Sequence, residues 1–578
     1  MVKKIFLSIV FGFIFCLTSY NQAFFSDEAG VYAILLDDLK RNLYRQALIE
    51  TENQDESDPS DQEWVHSEAR IRDVMLNGRE RRMLISWVRD HIHVMKAYKY
   101  WEKDMASYIE FFMERQSPLG MYYDYWESYR TRPVGQLYYT NVFDRKFYYV
   151  DVNQEIFLFR MPMEADLEYL MVEGAYTNWQ VTGDTAFLET SLPVLVRGMK
   201  YLMSHPLRWS DKHLLVKRPY TIDTWDFSSA PDGMTGVERL RYHIGNDENT
   251  PKGIMHGDNS GMFAASMQLA EMFRVTGDTV SANEWELQGK LFRHRLNTLC
   301  WNGRFYSHFV TEDPIPDHID TDPVNSISLS NTYNINRGAP TPEMTASILE
   351  SYMELYEKTK HESVAEWYGI YPPIEPRFGN YVVGEYMNGA VLPLVGGELA
   401  KAALQNGYEN YGIEQLKRLD MIMNMNGRRL PGCVNRDGTR QREAIPDEWG
   451  QAAFVSALVE GLAGVVDTDV LFRSVEISPR WYFAGVDTVS LTVGYGGDGD
   501  HVNYTYRYNA EEKKVYLETS GLFNKFRVRI PFPEGASKAT AVNNSYELSV
   551  LYTENINGSR YAVVEGTGSD NDMVFSFR

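Results

Sequence analysis

The chain has 578 residues, with 57 Lys and Arg against 79 Asp and Glu, a formal net charge of −22. That balance argues against nucleic acid, whose binding needs cations against phosphates, and against adsorption to anionic membranes. Its 3 cysteines are too few for a metal cluster or a disulfide framework, and no metal or cofactor is expected.

The N-terminus reads as an export signal over residues 1–23: Lys3 and Lys4, an apolar run from Ile5 to Leu17, then polar residues ending at Ala23. The run is too short to span a bilayer comfortably, so a secreted or periplasmic protein is expected. Cys16 follows the bulky Phe15, which ranks lipid anchoring second. Without the signal, Cys300 and Cys433 remain, and one disulfide or two buried thiols fit equally well. No later stretch is long and apolar enough to suggest a membrane span.

Residues 24–80 form an N-terminal helical segment, with a helical pattern from Ser26 to Glu50 and an acidic, Pro-containing loop from Thr51 to Glu63. A further helix runs through Trp87 to Trp101. On it His91 and His93 are two apart and point to different sides, unlike the four-residue spacing with which two His share a metal. Arg89 and Asp90 beside its apolar face either line a cavity or form a surface salt bridge.

Internal repetition carries the architecture. The segment EADLEYLMVEGAYTNWQVTGD, Glu164 to Asp184, matches DNSGMFAASMQLAEMFRVTGD, Asp258 to Asp278, and both end on VTGD, where Gly supplies a helix terminus. Looser copies run from Asn388 to Tyr408 and from Trp449 onward. Between them lie amphipathic helices such as Ser191 to Met203 and Ser281 to Leu299. Successive helical hairpins with small residues on the inner helices predict a mainly α chain, an (α/α)6 toroid over residues 81–470. The polar openings of its inner helices, among them Glu164, Asp166, Asp258, Asn259, Glu385, Asn388, Asp447 and Glu448, then converge on one end of the ring.

The chemistry concentrates in TIDTWDFSS, Thr221 to Ser229, answered by HGDNSGM at His256 to Met262. Asp223 and Asp226 suit a turn or a helix cap, but carboxylates beside aromatic rings around one cavity also suit a sugar-cleaving site. Asp226 is the first catalytic candidate. After Val470 the texture turns to period-two runs such as VSLTVGY and HVNYTYRYN, which read as an antiparallel β-sandwich over residues 471–578. It binds glycans or caps the toroid.

In these features the chain resembles the glycosidases built on six helical hairpins. Trp225-Asp226-Phe227-Ser228-Ser229 is similar to the motif that holds the general acid of the trehalase type, which implies that role for Asp226. The Arg89–Asp90 helix, LCWNGRFYSH at Leu299 to His308, YMNGAVLP at Tyr386 to Pro393 and EWGQAAFVSALVEGL at Glu448 to Leu462 resemble the wider group. Arg440 to Glu448 does not reproduce the glycine-rich stretch that precedes the base in the trehalase type. The resemblance places the base shortly before the last inner helix, at Glu448 with Glu443 nearby; Glu385 and Asp258 compete. It implies inverting hydrolysis of an oligo- or polysaccharide by two carboxyl groups. Asp258, Asn259, Glu385 and Asn388 are assigned to sugar hydroxyls, with Arg89, Asp90, Trp225 and Trp449 also binding substrate. Two other readings stay open: a polysaccharide lyase using Tyr242, His243 or His256, and a non-catalytic glycan-binding protein.

Overall fold

The computed structural model describes residues 23–52, 72–76, 79–83, 87–128, 139–441, 448–497, 500–544, 546–547 and 551–578. The signal-peptide reading of residues 1–22, most of the acidic loop, Glu443 and Asp447 lie outside the described residues.

The first helix starts later than its sequence pattern suggests. Ser26 belongs to a strand, Phe24–Asp27, which pairs antiparallel with Thr488–Gly494 of the C-terminal sheet. Helix α1, Val31–Glu52, follows a turn at Gly30, and the Asp27 carboxylate accepts the Ala33 N–H at 2.7 Å. The remaining helices are α2 Val88–Tyr98, α3 Ala106–Met113, α4 Leu167–Thr182, α5 Thr185–Leu202, α6 Gly236–Ile244, α7 His256–Val275 and α8 Thr279–Leu299. They continue with α9 Ser330–Asn336, α10 Pro342–Thr359, α11 Pro393–Gln405, α12 Glu409–Met425 and α13 Trp449–Ser456, which runs on as a π-helical segment, Ala457–Leu462.

Six of these form a closed inner ring: α2 packs on α4, α4 on α7, α7 on α9, α9 on α11, α11 on α13, and α13 back on α2. Helices α5, α8, α10 and α12 fold back on α4, α7, α9 and α11, and α3 packs against α4 and α5. The outer position behind α13 is taken by α1 from the start of the chain. The toroid is thus closed by both ends of the helical sequence. The VTGD repeat has a double use. Gly183 at φ 67° ends α4, while the next residue, Asp184, caps α5 by accepting the Phe187 N–H at 3.0 Å. Asp278 does the same for α8 through the Ser281 N–H, also at 3.0 Å.

Small residues let the inner helices approach. A Cβ on Gly397 of α11 would meet the Ala453 Cβ of α13 at 2.5 Å, and one on Gly261 of α7 would meet the Tyr169 ring of α4 at 2.3 Å. Gly397→Val is therefore expected to destabilise the fold by about 1–3 kcal/mol through overpacking. Thermal unfolding measures this; an unchanged Tm would contradict so close a contact.

The C-terminal part is a two-sheet sandwich. Its seven-stranded sheet runs from Phe24–Asp27 through Thr488–Gly494, His501–Asn509, Lys514–Gly521, Asn571–Phe577 and Ala539–Asn543 to Tyr546–Glu547. The five-stranded sheet orders Val465–Asp467, Ser474–Ile477, Lys525–Pro531, Ser559–Thr567 and Leu551–Ile556. All pairings are antiparallel except Ser474–Ile477 with Lys525–Pro531. The sandwich docks where inner helices end: the Gly496 N–H donates to the Lys99 carbonyl just past α2, and the Leu471 N–H to the Gln180 carbonyl in the last turn of α4. Helix N-termini are left at the opposite end of the ring. Cys300 and Cys433 are both buried, and no disulfide joins them.

Candidate active site

The loop carrying TIDTWDFSS is fixed from behind by a buried polar network. Asp223 adopts φ 48°, and its carboxylate accepts the Thr224 N–H at 2.7 Å and, from the start of α9, the Ser330 N–H at 3.0 Å and hydroxyl at 2.5 Å. His256 Nε2 lies 3.6 Å from the same carboxylate and bonds the Ser328 hydroxyl at 2.9 Å, while His256 Nδ1 meets the Asn334 amide at 2.9 Å. Burial works against the Asp223 charge, yet His256, Ser328 and Ser330 hold its carboxyl below the usual range. Asp223 is therefore an anchor, as a turn-closing Asp should be. His256 is wholly enclosed, with both ring nitrogens engaged by Ser328 and Asn334.

Three residues on, Asp226 is half-buried, and no hydrogen bond from a described residue ties its carboxylate. It is flanked by an aromatic wall. Trp225 meets Trp449 and Tyr386, each at 5.6 Å between ring centroids, and Phe227 stacks on His243 at 5.1 Å and packs against Tyr381 at 5.5 Å. Such rings suit the apolar faces of a sugar. His243 is held in place by its bond to the Ser228 carbonyl at 2.7 Å.

The charge of Asp226 is felt by Arg89, Asp90, Asp124 and Glu164, which places all five groups in one neighbourhood. Arg89 is not half of a surface salt bridge. It is buried in the first turn of α2, donating from Nε to Asp166 at 2.7 Å, and from Nη2 to Asp166 at 3.0 Å and Glu164 at 2.9 Å. Nη1 is left out of this clamp. Glu164 is pushed up to about 7 by burial, against the charges of Arg89 and Arg160; burial and the adjoining Glu164 push Asp124 up as well. Burial also opposes ionisation of Asp166, but the Arg89 charge and hydrogen bond keep its carboxyl below the usual range. Asp124 and Glu164 are thus both pushed toward the protonated form, while Asp166 balances Arg89.

Asp90 is raised to about 7, first by burial and then by Asp226, with Arg89 opposing. Between the ordinary Asp range near 4 and about 7 the folded chain keeps a proton that the unfolded chain has lost. Stability from this group is full below that range and is lost as pH rises toward 7. Relative to Asp90→Asn, the wild-type Tm is expected to fall across this interval; parallel Tm–pH curves would contradict the assignment.

The helix-opening residues divide. Asn259 is fully buried and spent on backbone: its amide oxygen accepts the Val216 N–H at 2.8 Å, and its nitrogen donates to the Val216 and Met255 carbonyls at 3.0 and 2.9 Å. Asn388 does the same with Ile374, at 2.8 and 2.9 Å, and with the Tyr381 carbonyl at 3.2 Å. In both, every polar atom of the amide already has a partner within the frame. Asp258 is also enclosed, 3.3 Å from Arg218, and burial raises it to about 6. Its partner Arg218 also donates to the Trp225 carbonyl, which ties Asp258 to the support of the loop. Glu385 is exposed on a turn, where its carboxylate accepts the Val382 N–H at 3.1 Å. Glu448 sits directly before α13 and is 3% exposed, and its charge is felt by Tyr98 in the last turn of α2. Arg89, Asp90, Trp225, Asp226 and Trp449 are brought together; Asn259, Asn388 and Asp258 serve the frame instead. Glu164, Asp166 and Asp124 were the quieter members, of which Glu164 and Asp166 were visible as helix-opening acids.

No protein-family model and no curated protein matches the sequence. Among solved structures, an alpha-L-rhamnosidase from Dictyoglumus thermophilum aligns with a TM-score of 0.56 at 9% identity, over 97% of this chain and 51% of that one. A GH78 family rhamnosidase of Bacillus sp. GL1 aligns with a TM-score of 0.53 at 13% identity, over 89% of this chain and 43% of its own. The chain spans about half the length of these proteins or less. At such identities the likeness shows a shared toroid-plus-sandwich fold.

Proposed function

We propose that the protein is an exported glycoside hydrolase that cleaves an O-glycosidic bond of an oligo- or polysaccharide, with inversion. Asp226 is the general acid and protonates the leaving oxygen; a second carboxyl activates water across the ring, about 6.5–9.5 Å away. The observation that carries this reading is an untied, half-buried carboxylate beside Trp225, at the same end of the ring as Arg89 and Asp90. The Trp-Asp-Phe-Ser-Ser resemblance and the toroid fold support it.

Glu448 is the proposed base, from its place before the last inner helix. Asp90 competes, because it shares the field of Asp226. Added azide separates the two: the true base variant, Glu448→Gln or Asp90→Asn, regains turnover and yields the inverted glycosyl azide, while the other does not.

The reaction class is tested on a panel of disaccharides and of algal, plant and host polysaccharides, read by released reducing ends. Release from at least one member is expected. Saturable binding without release from any member would indicate a glycan-binding protein, and an absorbing unsaturated uronide would indicate a lyase.

A further inference from the structure

Residues four apart on a helix share a face, so His93 lies one turn below Arg89 on the side of α2 that looks into the ring. Its ring is tilted against Trp449 at 4.3 Å and meets Tyr333 edge-on at 5.3 Å. His91, two residues earlier, faces outward and stacks on Tyr108 at 3.6 Å. Since Trp449 also touches Trp225, the residue before Asp226, the Trp449–His93 pair forms the floor beneath the catalytic candidate.

Two polar atoms of this floor are buried without any partner among the described residues: His93 Nδ1 and Trp449 Nε1. Both residues are more than nine-tenths buried, at 7% and 5% exposure. Other buried polar atoms on the inner helices also lack a partner among the described residues, Asn178 Oδ1 and Gln451 Oε1 among them; here two such atoms sit on rings in contact, with centroids 4.3 Å apart. Their chemistry is complementary. An indole N–H only donates, while a neutral imidazole protonated at Nε2 accepts at Nδ1. His93 stays neutral because of its burial, reinforced by the nearby charges of Lys96, Arg337 and Arg89. A carboxylate cannot donate to Nδ1 and an ammonium cannot accept from Nε1. A hydroxyl does both at once.

We infer that His93 and Trp449 read a single sugar hydroxyl, which accepts from Trp449 Nε1–H and donates to His93 Nδ1. The ligand class rests on the glycosidase reading above. The pair adds what that reading lacks, a specificity element that rewards one hydroxyl and penalises its absence, because a buried donor or acceptor left unpaired is costly.

The test is calorimetric titration of the whole protein with D-glucose, D-mannose, D-galactose, L-rhamnose, L-fucose and D-xylose, followed by the monodeoxy analogues of the aldose bound most tightly. One deoxy position is expected to weaken binding at least about tenfold. Trp449→Phe and His93→Phe each lose a similar factor, and in both the penalty for that position disappears. Trp449→Phe removes the indole N–H together with part of the ring, and with its Tm measured alongside it serves where His93→Phe fails to fold. Variants that lose stability yet keep the wild-type deoxy pattern would show a buried water rather than a sugar hydroxyl and overturn the pair. So would a flat deoxy series, or no aldose binding. Wild-type hydrolysis of the glycan panel is scored separately: with it intact, these outcomes sink only the pair, and without it the hydrolase reading falls.

Discussion

Asp226→Asn is expected to lower kcat by about 10²–10⁴-fold while leaving the fold and KM nearly unchanged. The fold should tolerate it because no described residue bonds this carboxylate, so an amide of the same shape strands no partner. Asn cannot deliver a proton to a departing oxygen. The loss should therefore be largest for substrates with poor leaving groups and shrink for dinitrophenyl glycosides, whose leaving group departs without protonation. A variant that hydrolyses natural glycans within a few-fold of wild type would remove Asp226 from the chemistry.

Arg89→Met carries the second large effect, and it acts on stability as well as activity. The side chain is buried and neutralises Asp166 and Glu164 through three hydrogen bonds of 2.7–3.0 Å. Removing one partner of a buried ion pair leaves an uncompensated charge, which costs about 3–5 kcal/mol. Asp166 loses the charge that keeps it ionised, and both it and Glu164 should take up protons near neutral pH. Chemical unfolding of Arg89→Met is expected to show a loss of that size, larger at pH 8 than at pH 5, where protonation relieves the repulsion. Arg89→Lys restores a charge but not the two-nitrogen grip on Asp166, so it should recover only part of the loss. A variant as stable as wild type at both pH values would contradict the clamp.

The frame was more legible in the sequence than the site. VTGD at Val181 to Asp184 and again at Val275 to Asp278 announces a hairpin because the glycine can only end one helix and the aspartate is suited to begin the next. Helix α9 was harder to see: seven residues, SNTYNIN, are too short and too polar for a periodic pattern, and its Ser330 and Asn334 are turned inward to hold Asp223 and His256. Helix α1 was visible as a helix, but its place behind α13 depends on contacts far along the chain, such as Arg428 Nε with Asp38 at 2.6 Å.

At the site, polar residues opening inner helices look alike in sequence whether they face a ligand or the backbone. Asn259 and Asn388 show why: an amide that clamps an N–H and a C=O has the same signature as one that reads vicinal hydroxyls. Only the fold reveals which atoms are already spent. Asp226 stood out because its neighbours were aromatic, whereas His93 did not, since a lone His on an inner helix face gives no sign of an unpaired nitrogen beside Trp449.

In the proposed reaction, water attacks an anomeric carbon while Asp226 assists departure of the aglycone oxygen. Mass spectrometry of products formed in heavy-oxygen water, on the glycan from which the wild type releases most reducing ends, tests it most directly. One heavy oxygen is expected at each newly formed anomeric hydroxyl, none on the leaving sugar, and no label under the same conditions with Asp226→Asn. Unlabelled products, or label that persists undiminished in Asp226→Asn, would contradict it.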